Sequence, residues 1–400
     1  VPRRSVVRNM VAAAGLLCLL AACSSGSSAG SSGSTTPAAG SGKTLTVEVA
    51  CQISGPQVEP ECATSVEAYF DMVNAAGGVD GYKLKVATCD TQTNPVLDAD
   101  CTKSAVANPA IVALVGRGGG ISPIPQYQIA DIAPIVDNPA MATATNSFIL
   151  TPYSAAPTGD PGSNTTQAKL LAKGVNKPGM IACSLSGCLS HVDGTKAWYA
   201  AYHISVKVVT APLTAVDFTP QIVALQHAGV NGIIVVEGAA GIDGAIKAAV
   251  AQNYHPAFLL STACDDARAL QGVPNVPDVY CSIPFNPSPA ARAPYTQLMN
   301  KYIGAGKWAM SGWGLNSYLG AQLFVQDVRG ISGPVTRAAV LAGMRKITDF
   351  SSPLLGTTIN FGQPGPIAKY PAFVNWYYFF SAIKNHAVVP VAPAAIDAAP

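Results

Sequence analysis

Asn74-Ala75-Ala76-Gly77-Gly78-Val79-Asp80-Gly81, running straight into Tyr82-Lys83-Leu84-Lys85-Val86-Ala87-Thr88, is the stretch that decides the fold. Upstream of it, residues 61–76 set Val66, Tyr69, Phe70 and Val73 on one helical face. The two glycines stop that helix, since glycine tolerates the left-handed backbone that helix ends favour. The segment 83–88 then follows at once as a strand. Residues 45–50 read as a strand ahead of the helix, so the whole is a βαβ unit with parallel strands.

The same rhythm continues outward. Residues 96–107 read as a helix and 111–115 as a strand, and 132–136 form a further strand after the segment around Tyr127. After Pro152 the pattern restarts. A helix over 167–173 precedes a strand at 180–183, and a helix around Trp198 precedes a strand at 206–209. Thr219 and Pro220 read as N-cap and first residue of a helix ending at Gly229. An apolar strand at 232–236, a helix over 242–252 and a strand at 257–260 complete this second α/β layer. The remainder breaks the rhythm, with helices around 295–302, 315–328 and 335–344, β-rich stretches at 357–361 and 372–380, and a frayed tail at 389–400.

Composition narrows the function. Charged residues make up 12% of the chain, about half the usual share. Residues 1–22 hold three Arg and no acid, so losing them moves the formal charge from +2 to −1. No basic patch invites nucleic acid. No apolar run is long enough to span a membrane; residues 374–383 come nearest. Nothing calls for a cofactor: Gly116-Arg117-Gly118-Gly119-Gly120 matches neither a dinucleotide nor a phosphate-loop pattern.

At the amino end, Arg3, Arg4 and Arg8 precede a ten-residue apolar run over 11–20, too short for a transmembrane helix. Leu19-Leu20-Ala21-Ala22-Cys23 resembles the lipobox of bacterial lipoprotein signals. That resemblance implies cleavage before Cys23, a diacylglycerol on its thiol, and a protein anchored outside the cytoplasmic membrane. An ordinary secretory signal with an incidental Cys is the alternative, and Arg3-Arg4 also suits twin-arginine export. Residues 24–43 are almost wholly Ser, Gly, Ala, Thr and Pro, a flexible tether with a reach of about 25 Å. Gly26-Ser27-Ser28-Ala29-Gly30 spells a nucleophile elbow but lacks the flanking strand and helix that would strain and expose the serine.

Of ten cysteines, Cys18 falls in the leader and Cys23 is claimed by lipid. An even remainder in an exported protein favours disulfides, and closeness in sequence suggests Cys51 with Cys62, Cys89 with Cys101, Cys183 with Cys188, and Cys264 with Cys281. Cys183, Cys188 and His191 are the best metal candidates, but they lack the paired spacing of common zinc sites, and no metal is expected.

The decisive stretch, with the strand after it and Asp90 to Pro95, resembles the branched-chain amino-acid-binding family of ABC-transporter receptors. Ile111-Val112-Ala113-Leu114-Val115-Gly116 is similar to that family's third strand. Asp217-Phe218-Thr219 through Leu225, Ala228-Gly229 and Ile233-Ile234-Val235 resemble its second-lobe helix and strand. The resemblance runs over 44–386. It implies an α/β, type I periplasmic binding protein fold: two Rossmann-like lobes with parallel-rich sheets, joined by three hinge crossovers near 150–153, 281–284 and 347–352. The expected organisation is signal peptide 1–22, tether 23–43, first lobe 44–150 with 284–348, second lobe 151–283 with 349–388, and a disordered tail at 389–400.

Candidate ligand contacts lie beyond the carboxyl ends of the strands. Backbone N–H groups at Gly118 and Gly119 would line the cleft, with Arg117 as a fork for a carboxylate; a flexible turn with a solvated Arg is the plain alternative. The loop at 138–143 corresponds to a family contact loop, which nominates Ala140 and Thr143. In the second lobe Glu237, just after a buried strand, or Asp265 would meet a ligand ammonium, while Asp266 reads better as a helix cap. Trp313 and Asn316 fall where relatives place a helix start near the cleft, Trp313 being equally at home in the core.

These features imply a non-enzymatic receptor, expected to be a monomer. It would close on a small polar solute, an amino acid, amide or organic acid, and hand it to an ABC permease and ATPase complex. A sensory receptor with the same cleft is the alternative. A lipid-anchored hydrolase would need Ser190, His191 and Asp193 to converge, and adjacency in sequence does not make a triad.

Overall fold

The computed structural model describes residues 43–117, 126–135, 139–152, 161–260, 262–272, 278–392 and 394–398. The leader, Cys23, the tether up to residue 42, and Gly118 and Gly119 lie outside the described residues.

The first sheet is built from β1 (Lys43–Cys51), α1 (Glu61–Ala75), β2 (Tyr82–Asp90), α2 (Pro95–Ala107), β3 (Ile111–Val115), β4 (Ala130–Ile132), α3 (Pro139–Ala142) and β5 (Ser147–Phe148). Its five strands are parallel, in the order β2-β1-β3-β4-β5. The decisive stretch behaves as its residues require. Gly77 and Gly78 take φ of +111° and +94°, and a Cβ on Gly78 would meet the Tyr82 carbonyl oxygen at 2.2 Å. Asn74 then fixes where β2 begins: its amide nitrogen donates to the Leu84 carbonyl at 2.8 Å and its oxygen accepts from the Leu84 N–H at 2.9 Å.

The second sheet follows in chain order with α4 (Pro161–Ala172), β6 (Pro178–Cys183), α5 (Ser186–Ala200), β7 (Lys207–Ala211), α6 (Thr219–His227), β8 (Gly232–Val236), α7 (Ala239–Ala251), β9 (Ala257–Leu260), α8 (Ala267–Gln271) and β10 (Val279–Ile283). The chain then returns to the first lobe through α9 (Pro289–Met299), α10 (Gly312–Gly330) and α11 (Arg337–Met344). It ends in the second sheet with β11 (Tyr377–Lys384), β12 (Ala387–Pro390) and β13 (Ile396–Asp397). Strand order is β12-β11-β10-β9-β8-β6-β7, with β13 on β11. The β6 to β10 strands pair in parallel, and β11 runs antiparallel to β10 and to β12.

Each lobe has its own core. In the first, α10 lies along α1, with Phe70 and Phe324 fully buried and their ring centroids 5.8 Å apart; burying such a ring contributes about 2–3 kcal/mol. The second core gathers Ile222, Leu225, Ile233, Val235, Ile246 and Phe258 around its sheet.

Four expectations need correction. The third crossover is not at 347–352. Phe350, Leu354, Ile359 and Phe361 belong to the first core, and the chain leaves that lobe only where Phe373 bridges Ile149 and Asn375 donates to the Leu150 carbonyl. Apolar residues at these positions need burial, and the first lobe supplies it. The 357–361 stretch accordingly forms a single bridge, Phe350 with Ile359, instead of a strand. The expected frayed tail instead pairs with β11: β12 by main-chain register from Ala387↔Lys384 to Pro390↔Ser381, and β13 by Ile396↔Tyr378. At α6 the chain is helical already at Thr219, and Asp217 accepts the Thr219 N–H at 2.8 Å, two residues ahead of the expected cap arrangement.

Candidate functional site

The carboxyl ends of the parallel strands in each lobe are where loops can present groups to a ligand, and the two sets of loops meet. Gly238, after β8, has its Cβ direction 3.9 Å from the Gln57 side chain of the β1–α1 loop. The Ala267 N–H of α8 donates to the Met310 carbonyl ahead of α10 at 2.8 Å. Arg268 reaches from the second lobe to Glu59 at 2.6 Å and Glu61 at 3.2 Å, while holding its own neighbour Asp266 at 3.0 Å. Arg292 of α9 pairs with Asp265 of the second lobe.

This clasp is rich in acid. Glu59 also accepts from the Ser311 hydroxyl at 2.9 Å, and Glu61 from the Ala309 N–H at 2.9 Å. Burial pushes the Glu59 carboxyl up to about 8, with Asp266 adding to the rise and Arg268 opposing it.

Disulfides brace the same loops. Cys51–Cys62 and Cys89–Cys101 each tie a strand end to the helix that follows, and Cys183–Cys188 does so in the second lobe. Asp90, at the end of β2, accepts from the Ile53 and Ser54 N–H groups and from the Ser54 hydroxyl, which holds the β1–α1 loop against β2. The fourth expected bridge is absent: Cys264 and Cys281 are buried thiols. Cys264 turns toward the Leu260 carbonyl in the turn after β9, and burial, with Cys281 beside it, raises its thiol well above the ordinary value.

The sequence candidates separate into distinct fates. Glu237 stands at the end of β8, only 7% exposed, with neither carboxylate oxygen hydrogen-bonded among the described residues. Burial raises it to about 8, and its Oε2 rests over Gly241 in the first turn of α7. Arg117 does not face a cleft. It is fully buried inside the first lobe, its Nη1 held by both Asp98 oxygens at 3.1 Å and by the Thr102 hydroxyl at 3.0 Å, with Asp131 at 3.9 Å from Nε. Carboxylates from α2 and β4 converge there and draw the guanidinium inward; desolvation still lifts Asp131 to about 6 and nearby Glu48 to about 7.

Asp265 is buried and its charge is taken by Arg292, so it closes the lobes instead of awaiting an ammonium. Asn316 is also buried and committed, donating to the Ala133 carbonyl at 2.6 Å and accepting from Thr151 at 2.9 Å, so it ties β4 to the first crossover. Trp313 is half-buried in the first turn of α10 against the first core. Ala140 sits in α3, its carbonyl accepting the Thr143 hydroxyl at 3.1 Å. Thr143 itself lies toward the amino end of β5, opposite the cleft, because the chain has already turned back to enter that strand. Asp266 caps α8 through the Arg268 N–H, as its position implies.

Glu59, Glu61, Arg268 and Arg292 were missed. An acid at a helix start reads as a cap, and only the approach of a second lobe shows that Glu59 and Glu61 are bridged.

Two parallel-rich α/β lobes, joined by crossovers and meeting at the carboxyl ends of their strands, define a two-lobed binding-protein architecture. The chain belongs to the periplasmic binding protein family, whose model matches residues 46–374. Among solved structures it resembles a fatty acid ABC transporter substrate-binding protein from Thermomonospora curvata, 19% identical, covering 89% of this chain and 92% of that one, with a TM-score of 0.75. It also resembles a branched chain amino acid ABC transporter protein from Thermus thermophilus with bound valine, 14% identical, covering 89% and 97%, TM-score 0.76. A third is a possible leucine/isoleucine/valine-binding protein from Rhodopirellula baltica, 17% identical, covering 90% and 98%, TM-score 0.75. No curated protein matches the sequence.

Proposed function

We propose that the protein is an extracytoplasmic receptor, anchored by lipid on Cys23, that closes its lobes on a small solute bearing an ammonium group and delivers it to an ABC importer. The observation that carries the solute class is Glu237. A carboxyl group buried at a strand end with no hydrogen-bond partner is costly, and a cation arriving between the lobes would offset that cost. Structural neighbours that serve ABC transporters, one of them holding valine, support the same reading. Export is supported by the three disulfides, which persist in oxidising compartments.

The fatty acid protein among the neighbours favours a second reading, an aliphatic carboxylate. That solute would need Glu237, raised to about 8, to stay protonated and donate to it, whereas an ammonium needs it ionised, so the two readings differ in the proton released on binding. The hydrolase reading finds no support at Ser190, whose hydroxyl donates to the Gly187 carbonyl at 2.6 Å. A thermal-shift screen tests the proposal, pairing each amino acid or amine with its ammonium-free counterpart, valine with isovalerate for example. Stabilisation by an ammonium-bearing member that is lost in Glu237→Gln is expected; stabilisation by the acids alone, or by the ammonium-bearing member equally in Glu237→Gln, would overturn it.

A further inference from the structure

We propose a second solute site in the first lobe, separate from the cleft, that takes a small carboxylate with an aromatic or branched apolar body. Its basis is a cavity of about 260 Å³ between edge strand β5 and the segment 361–374. That volume falls below the range of roughly 300–1,000 Å³ that houses drug-sized ligands, which limits the occupant to about the size of benzoate.

The walls divide by chemistry. Phe148 and Phe361 meet edge to face, ring centroids 5.4 Å apart, and with Pro371 and Val374 they form an apolar body. One charged group reaches it. Arg345, beyond α11, is fixed at the rim by a 3.0 Å bond from one terminal nitrogen to the Thr145 carbonyl, and its other N–H groups have no partner among the described residues. An anchored guanidinium over apolar walls suits a carboxylate, which accepts from it while those walls take the apolar part. An aliphatic amine would instead meet the guanidinium as a like charge.

The position is distinct from Glu237. Thr145 and Ser147 enter β5 from its amino end, whereas the loops that meet across the lobes leave from carboxyl ends. Two walls of the cavity continue into crossovers: β5 runs into Ile149, which bridges Phe373 between lining residues Ala372 and Val374. An occupant therefore lies against the chain leading into two of the three crossovers, the first and the third.

The test is calorimetric titration of the folded protein with benzoate, phenylacetate and isovalerate, and with benzamide as the uncharged control. Wild type and Glu237→Gln are expected to bind a member of the carboxylate set equally, and benzamide at least tenfold more weakly. Arg345→Gln should lower that affinity by about tenfold or more, the scale of a lost charge-assisted hydrogen bond. Circular dichroism melts establish that both variants fold. Binding that survives Arg345→Gln, binding lost in Glu237→Gln, or no heat with any carboxylate up to the millimolar range would each overturn the second site.

Discussion

Replacing Glu237 by Gln should stabilise the protein, and by an amount that depends on pH in a defined way. Burial holds the folded carboxyl at about 8 against an ordinary value of 4.5. Below pH 4.5 both states are protonated and the group contributes nothing. Between those values the unfolded chain releases its proton first, so each unit of pH costs the folded state up to about 1.4 kcal/mol. Above pH 8 both states are ionised and the penalty is constant. At pH 7 the full cost would be about 3 kcal/mol, and partial access of water trims it to roughly 1–2 kcal/mol. Gln keeps the shape and removes the ionisation. Urea denaturation of both proteins at half-unit steps from pH 4.5 to 8.5 reads the difference directly. The variant should match wild type at pH 4.5 and gain steadily toward pH 8. A gain that is flat across this range, or a loss, would refute the assignment of Glu237 as a buried, unpaired acid.

Arg117→Met should cost about 3–5 kcal/mol in urea denaturation, because it leaves the Asp98 and Asp131 carboxylates buried without their cation, while solute affinity in the folded variant stays within twofold of wild type. Arg268→Ala should destabilise more at pH 8.5 than at pH 6: Arg268 holds the rise of Glu59 to about 8, so without it the carboxyl ionises only at still higher pH, and the cost grows once pH passes the wild-type value; pH-resolved thermal melts check this. Replacing Cys51 and Cys62 together by Ser should cost roughly 2–4 kcal/mol through the unfolded chain. Peptide mapping without reduction should show 51 with 62, 89 with 101 and 183 with 188, with Cys264 and Cys281 alkylated only after unfolding.

Much of the fold was legible because it rests on local rules. The Gly77-Gly78 stop, the alternation of apolar runs with amphipathic segments, and the three short disulfide loops are decided within about a dozen residues. What was misread depends on contacts distant in sequence. Nothing around Ile347 shows that Phe350 and Phe361 stay with the first lobe, because only that lobe's core gives them burial. Arg117 follows a strand end, where an exposed fork is a fair expectation, yet Asp98, nineteen residues earlier, captures it. Cys264 and Cys281 are near in sequence and in space, but nearness does not set sulfur geometry. The burial of Glu237 was legible for the opposite reason: an acid directly after the buried run Gly232–Val236 has few ways to escape it.

The central claim is that a cationic solute binds against Glu237, and proton release on binding tests it most directly. Titration calorimetry of the best solute from the screen, at pH 7 in buffers of differing ionisation enthalpy, counts the protons exchanged. Glu237 is protonated in the free protein at that pH, since its carboxyl stands near 8, and must ionise to pair with an ammonium. Wild type should release close to one proton per solute bound, and Glu237→Gln should release none and bind at least tenfold more weakly. A wild-type exchange of zero, with affinity unchanged in Glu237→Gln, would contradict the account.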